Sequence, residues 1–373
     1  GEGPAVDPPP PLPNPPPSTA GPSPTAQMFK PEEYEALLPH PLPLYDYHPL
    51  SSAQRGLVIG MGGGCDIFAA YAIAQQWSQA CERAGEHPQI LYSSVCGEKH
   101  ISRTRDELPQ FKIEELQENA SVYTTGPVQR PLEHGEEGYG TIKLELSVPR
   151  GPGGSPLVFA LPKFTADSQS EVKVQQEKAA EVIARALEAA SPVDYILAVD
   201  AGGDSITGGT DWSGFMELGR DRLILNALKA KAVSFDHLVL GPACDGESSE
   251  DEMRESLQIL HDRGHLKGCM DVAPIADCMQ QYTLGLMPTR TPNILWRGCE
   301  RRRLLKDASQ LPDWAKEEAL LVVRHENSRR VPWTWLTIVV VIKGAAANDI
   351  FFASKKGKDE LSQIVGSSEP IQQ

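Results

Sequence analysis

Short apolar runs alternate with amphipathic stretches along most of this chain, and this alternation limits the possible folds more than any other feature. The runs "GLVIG" (56–60), "YILAV" (195–199) and "HLVLG" (237–241) have the length and composition of buried strands. Long stretches between such runs repeat apolar residues every three or four positions, as helices do. Because parallel strands need helical crossovers, we predict an α/β fold with a doubly wound, mostly parallel, Rossmann-like sheet and helices on both faces.

Proline content divides the chain into parts. Residues 1–31 include "DPPPPLPNPPPSTAGPSP", which offers too few backbone donors for a helix or sheet, so we predict a disordered arm. We expect residues 32–54 to extend along the domain surface, residues 55–366 to form one domain and residues 367–373 to be a tail. The arm is either a plain tail or a docking peptide for a protein partner that recognises proline.

The charge of the chain argues against nucleic acid as a partner. The formal net charge is −15, and an acidic surface repels phosphate backbones. The basic cluster at 297–306 contains Glu300 and is either a solvated helix face or an anion site. The longest apolar run, at 331–342, is shorter than the roughly 18 residues that a membrane span needs, so we predict a buried strand there.

The cysteines point to a reducing environment. There are seven, an odd number, and none forms a C-x-x-C pair, which argues against a disulfide framework and a structural zinc site. We therefore expect an intracellular protein, cytoplasmic by default, with an organelle left open.

Glycine and acidic residues follow the three apolar runs named above. The segments are "MGGGCD" (61–66), "DAGGDS" (200–205) and "PACDGE" (242–247). Because ligands of open parallel sheets bind beyond the carboxyl ends of the strands, we expect one site at this edge. The candidate catalytic residues there are Asp66, Asp200, Asp204, Asp245 and Glu247.

Clustered carboxylates repel one another unless a cation joins them, so we predict a divalent metal, Mg²⁺ or Mn²⁺, held by Asp200, Asp204 and Asp245. Glu247 or Asp66 would act as base or orient a water molecule. Glycines let the backbone approach a ligand closely, and the expected ligand-binding glycines are Gly62, Gly63, Gly64, Gly202, Gly203 and Gly246. The alternative is that these turns only pack strands against helices and that Asp66 only caps its helix.

Two further residues and one rejected cofactor complete the site predictions. In "TRTPN" (289–293), Arg290 and Asn293 are expected to bind the ligand, with Arg290 pairing with a carboxylate or phosphate or else lying at the surface. NAD is not expected, because Cys65 stands where the G-x-G-x-x-G fingerprint needs its third glycine. Elsewhere, the alternation in "TIKLELSV" (141–148) predicts a half-exposed strand.

The order "GMGGGCD", "VDAGGDS", "LGPACDGE" over about residues 55–300 resembles the domain of unknown function 1152 family. The resemblance implies a Rossmann-like domain whose three motifs line one pocket, and it implies no reaction. We therefore expect a metal-dependent enzyme that acts by hydrolysis or group transfer on a small polar or phosphorylated metabolite. The alternatives are a non-catalytic metabolite-binding module and a structural or assembly protein.

Overall fold

A computed structural model of the 373-residue chain describes its central part. The described residues are 55–62, 64–110, 113–115, 122–125, 133, 135, 143–149, 157–161, 169–190, 192–208, 220–231, 234–305, 311–324, 327–346 and 353–355. The predicted arm (1–31), surface segment (32–54) and tail (367–373) lie outside these residues, as does Gly63.

Within the described residues, nine strands form one sheet, and a separate two-stranded ribbon pairs β9 with β10. The order in the large sheet is β3-β4-β5-β2-β1-β6-β7-β11-β8. In chain order the strands are β1 (Arg55–Gly60), β2 (Gln89–Gly97), β3 (Ile113–Glu115), β4 (Val122–Thr125), β5 (Leu157–Leu161), β6 (Tyr195–Ala201), β7 (Phe235–Leu240), β8 (Leu266–Asp271), β9 (Ala319–Arg324), β10 (Asn327–Pro332) and β11 (Ile338–Lys343).

The five central strands β5, β2, β1, β6 and β7 are parallel, whereas β4 and β11 run antiparallel to their neighbours. The predicted mostly parallel α/β sheet is therefore confirmed. From β1 the chain moves outward through β2 to β5 and then returns to β6 on the other side of β1. The strand order thus reverses between β1 and β6, which is the place where open α/β sheets bind ligands.

Helices surround the sheet in two packed groups. They are α1 (Asp66–Arg83), α2 (Glu98–Glu107), α3 (Lys143–Ser147), α4 (Gln169–Ala190), α5 (Asp204–Thr207), α6 (Arg220–Ala230), α7 (Glu250–Asp262), α8 (Ala273–Thr283), α9 (Thr291–Leu304) and α10 (Asp313–Lys316). Helix α8 contacts both α1 and α9, and α4 contacts α6. Because crossovers between parallel strands are right-handed as a rule, and the chain crosses in opposite directions from β1 to β2 and from β5 to β6, α1 and α4 are expected on opposite faces of the sheet.

Strand β11 fills the place between β7 and β8, antiparallel to both. Its residues 338–342 are all apolar and buried, which fits a strand covered on both faces. The buried strand predicted within residues 331–342 is thus present, preceded by the end of β10 and a short 3₁₀ helix, Trp335–Thr337. Among the helices of the described segments, none has the length and apolar character that crossing a bilayer requires.

One local prediction was wrong. The segment 141–148 was expected to be a half-exposed strand, but its described part forms α3. The alternation misled because Glu145, expected to face water, is buried and accepts a hydrogen bond from Ser94 Oγ at 2.9 Å. Strand β8 (Leu266–Asp271), which directly precedes the helix that begins at Ala273, was not predicted.

Candidate functional site

The three glycine- and aspartate-bearing loops lie side by side, because β1, β6 and β7 are neighbouring parallel strands. Backbone hydrogen bonds connect them. Met61 N donates to Val199 O at 2.9 Å, Gly202 N donates to Leu240 O at 3.0 Å, and Ala243 N donates to Gly202 O at 2.6 Å. The prediction that these loops gather at one edge of the sheet is therefore correct.

Asp66 joins the first loop to the second. Its Oδ2 accepts a hydrogen bond from Gly62 N at 2.8 Å, and its carboxyl group also accepts one from the backbone N–H of Ala201. Burial raises the pKa of the Asp66 carboxyl well above its ordinary value, and the nearby charges of Asp200 and Asp204 raise it further. One backbone donor that was expected to serve a ligand anion is thus directed at a side chain of the chain itself.

Asp200, at the end of β6, is the most enclosed carboxylate of the second loop. It is 1% exposed and accepts hydrogen bonds from Ser205 N, at 3.1 Å, from Ser205 Oγ and from Gly203 N. Burial raises the pKa of the Asp200 carboxyl above its ordinary value, while the hydrogen bonds from Ser205 lower it.

The third loop places its acidic side chains against the second. A Cβ built on Gly202 would lie 2.2 Å from Asp245 Oδ2, so the Asp245 carboxylate packs directly on this glycine. Asp245 Oδ1 accepts a hydrogen bond from Glu247 N at 3.0 Å. Burial raises the pKa of Asp245 well above its ordinary value, and the charges of Asp204, Glu247 and Asp200 act in the same direction. The loops therefore share one electrostatic environment.

Backbone conformation in the third loop is unusual as well. Ala243 has φ +62°, a left-handed backbone conformation that residues other than glycine rarely adopt. Gly246, two residues before the buried Ser248, has φ +76°, which glycine adopts without strain. The conformation of Ala243 persists only where the surroundings hold it, and strained residues of this kind concentrate at functional sites.

Sequence reasoning missed one acidic residue, Asp221. It lies in the first turn of α6, is 4% exposed, and its Oδ1 is 3.6 Å from the Cβ position of Gly62. Carboxylate oxygens of Asp200, Asp204 and Asp221 all lie within 4.8 Å of one another. Within the described part of the chain this is the group able to hold a cation, and the predicted ligand Asp245 is not a member of it. The one signal in the sequence was an aspartate between two arginines at the start of a helix.

Arg290 and Asn293 lie at the start of α9, which faces the first loop. Arg290 Nη2 is 3.3 Å from the Cβ position of Gly64, whose φ is +58°, so the guanidinium group covers the glycine turn. Asn293 Nδ2 donates to Leu286 O at 3.2 Å and to Met287 O at 3.0 Å. Arg290 therefore brings positive charge to the site, whereas the amide group of Asn293 holds the preceding turn.

Ser205 and His237 have the contact geometry of a nucleophile and its base, since Ser205 Oγ is 2.8 Å from His237 Nε2. However, the two residues are only 1% and 0% exposed. The hydroxyl of Ser205 is enclosed between Asp200 and His237, so this contact alone does not define a nucleophile.

The fold and the site together define an α/β protein with an acidic site at the strand-order reversal of a largely parallel sheet. Residues 152–283 match the family described as "Protein of unknown function (DUF1152)", in agreement with the resemblance seen in the motifs. The matched segment contains the second and third loops and Asp221, and the first glycine turn precedes it. Comparison with the curated proteins found no match, and comparison with the solved structures found none.

Proposed function

We propose that this protein is a divalent-cation-dependent enzyme that acts by hydrolysis or group transfer on a small polar or phosphorylated metabolite. The observation that supports it is the group formed by Asp200, Asp204 and Asp221. Their oxygens lie within 4.8 Å of one another, and Asp200 and Asp221 are buried. The cation would be Mg²⁺ or Mn²⁺, because both prefer oxygen ligands.

Electrostatic repulsion is the physical reason for a cation here. Two ionised carboxylates whose oxygens are 4.8 Å apart repel each other by roughly 3 kcal/mol at an effective dielectric constant near 20. Three such pairs are strongly unfavourable, so the group either keeps protons or binds a cation. A divalent ion held by Asp200, Asp204 and Asp221 would reduce the repulsion and would supply a Lewis acid at this edge of the sheet.

The surrounding residues suggest a division of roles. Asp66 accepts two backbone hydrogen bonds and holds the loops of β1 and β6 together. Glu247 and Asp245 lie beside the cation-binding group and are the candidates to orient or deprotonate an attacking water. Arg290, over the glycine turn, is the candidate to pair with an anionic group of the substrate.

The test uses chelator-treated full-length protein and a panel of phosphorylated metabolites with Mg²⁺ or Mn²⁺. We expect phosphate release or group transfer that needs the cation and is lost in an Asp200→Asn, Asp221→Asn double variant. The matched control is Asp313→Asn, because the Asp313 side chain is 98% exposed. Cation-dependent ligand binding without turnover would instead indicate a binding module, and no cation dependence of any kind would refute the proposal.

A further inference from the structure

A continuous chain of buried hydrogen bonds connects the site to the middle of the sheet. Asp200 Oδ2 accepts from both the N–H and the hydroxyl group of Ser205. Ser205 Oγ is 2.8 Å from His237 Nε2, and His237 Nδ1 is 2.9 Å from Ala198 O. The chain begins and ends on β6 and passes through α5 and β7, so three elements fix its geometry.

The donors and acceptors in this chain define the state of the histidine. A carbonyl oxygen only accepts, so Nδ1 of His237 carries the proton that is donated to Ala198. Burial lowers the pKa of His237 to about 4, which keeps the ring neutral at physiological pH. Its Nε2 therefore presents a lone pair to Ser205. The serine hydroxyl has one proton and two neighbouring acceptors, Asp200 Oδ2 and His237 Nε2, so it donates to one of them at a time.

This arrangement affects the carboxylate that the proposed cation needs. Ser205 gives two hydrogen bonds to one oxygen of Asp200, which restrains rotation of the carboxyl group. A metal-binding carboxylate is commonly held by such outer hydrogen bonds, and their loss typically lowers metal affinity 10- to 100-fold.

We infer that Ser205 is a positioning residue that orients Asp200 toward the cation. This inference rests on the proposed function. Ser205 acts directly on Asp200 through its backbone N–H and its hydroxyl group.

The test is Mn²⁺ binding, measured by calorimetry and by the electron paramagnetic resonance spectrum of the bound ion in chelator-treated protein. We expect Ser205→Ala to weaken Mn²⁺ binding 10- to 100-fold and to change the spectrum. Ser256→Ala is the matched control, because Ser256 is equally buried but its hydroxyl donates to Ile206 O at 3.5 Å. That variant should bind Mn²⁺ as the wild type does.

A second pair of variants decides the question if Ser205→Ala fails to fold. Ser205→Thr keeps the hydroxyl group and the backbone N–H, whereas Ser205→Val has a similar shape without the hydroxyl. We expect Mn²⁺ affinity to stay near that of the wild type in the threonine variant and to fall 10- to 100-fold in the valine variant. Wild-type affinity in the valine variant would overturn the positioning role while leaving the proposed function intact. Absence of Mn²⁺ binding in the wild type would overturn the proposed function and, with it, this inference.

Discussion

Single residues at the site show how closely its loops are fitted. Gly202 has φ +131°, and a Cβ there would meet Asp245 at 2.2 Å. Gly264 also has a positive φ, +65°, but a Cβ there would meet nothing within 4 Å. Both glycines have a positive φ, but +131° is less accessible than +65° to a residue with a Cβ, so Gly202 combines the larger backbone strain with the steric contact.

We predict that Gly202→Ala destabilises the protein by at least about 3 kcal/mol, since strain and collision act together. Gly264→Ala carries the strain alone and should cost about 1 kcal/mol. Denaturant unfolding of both variants measures the difference. Equal losses would show that Asp245 does not pack against Gly202 as described.

His237 gives a pH-dependent prediction. Its pKa is about 4 in the folded protein, against an ordinary value of 6.5, so the unfolded chain binds more protons between these values. The free energy of unfolding therefore decreases as the pH falls through this window. Relative to His237→Gln, wild-type protein in chelator should lose roughly 2–3 kcal/mol between pH 7 and pH 4.5.

Denaturant unfolding of wild type and His237→Gln over this pH range tests the prediction. The other titrating groups are common to both proteins, so they cancel in the comparison. Two curves that stay parallel from pH 7 to pH 4.5 would contradict a buried, neutral histidine.

The sequence was sufficient to place acidic residues at the edge of the sheet where they belong to a short motif next to a strand. Asp66, Asp200, Asp204 and Asp245 each directly follow or end a recognisable strand, so their common edge followed from parallel pairing. Asp221 reaches the same place from the start of a helix that no motif marks. Its contribution depends on how α6 packs, which local sequence does not encode.

At the scale of elements, the third loop is held by the start of α7. Ser249 and Glu252 form a reciprocal capping box: Glu252 N donates to Ser249 Oγ at 3.2 Å, and Ser249 N donates to Glu252 Oε2 at 2.8 Å. This cap directly follows Glu247 and Ser248, and both are buried. The end of the acidic loop is therefore fixed by the helix that follows it.

We predict that Ser249→Ala destabilises the protein by about 1 kcal/mol, because it removes the side-chain acceptor for Glu252 N. Ser249→Asp keeps an acceptor and a favourable negative charge at the helix N-terminus, so it should retain most of the stability. Thermal unfolding of the two variants tests this. A larger loss in the aspartate variant than in the alanine variant would contradict the described cap.

Elements with strong local patterns were predictable, and those set by distant contacts were not. Helices α1, α4 and α7 and strands β1, β6 and β7 followed from apolar periodicity. The exceptions have physical causes. Glu145 is buried because Ser94 provides a partner, and β8 contains Lys267 and Gly268, which weaken a strand signal that pairing with β11 overrides.

For the whole molecule, the last strand is as important as the first. Strand β11 separates β7 from β8 and is antiparallel to both, so β8 joins the sheet only through it. No local pattern specifies this insertion, since it pairs residues about 70 to 100 positions apart in the chain. The sequence therefore predicted the class of sheet and not its complete order.

We predict that a chain ending at residue 305 fails to unfold cooperatively, because it leaves β7 with an open edge and β8 without its neighbour. A chain ending at residue 366 keeps β11 and should unfold as the full chain does. Circular dichroism during thermal denaturation compares the two. A cooperative transition in the shorter chain would show that β11 is dispensable.

The central claim is that Asp200, Asp204 and Asp221 bind a divalent cation, and calorimetric Mn²⁺ titration of wild type, Asp221→Asn and Asp313→Asn tests it most directly. Asp221 is the informative position, because the structure and not the sequence placed it in the group. We predict a saturable Mn²⁺ site in wild type and Asp313→Asn, and at least tenfold weaker binding in Asp221→Asn. No Mn²⁺ binding by the wild type, or unchanged affinity in Asp221→Asn, would contradict the claim.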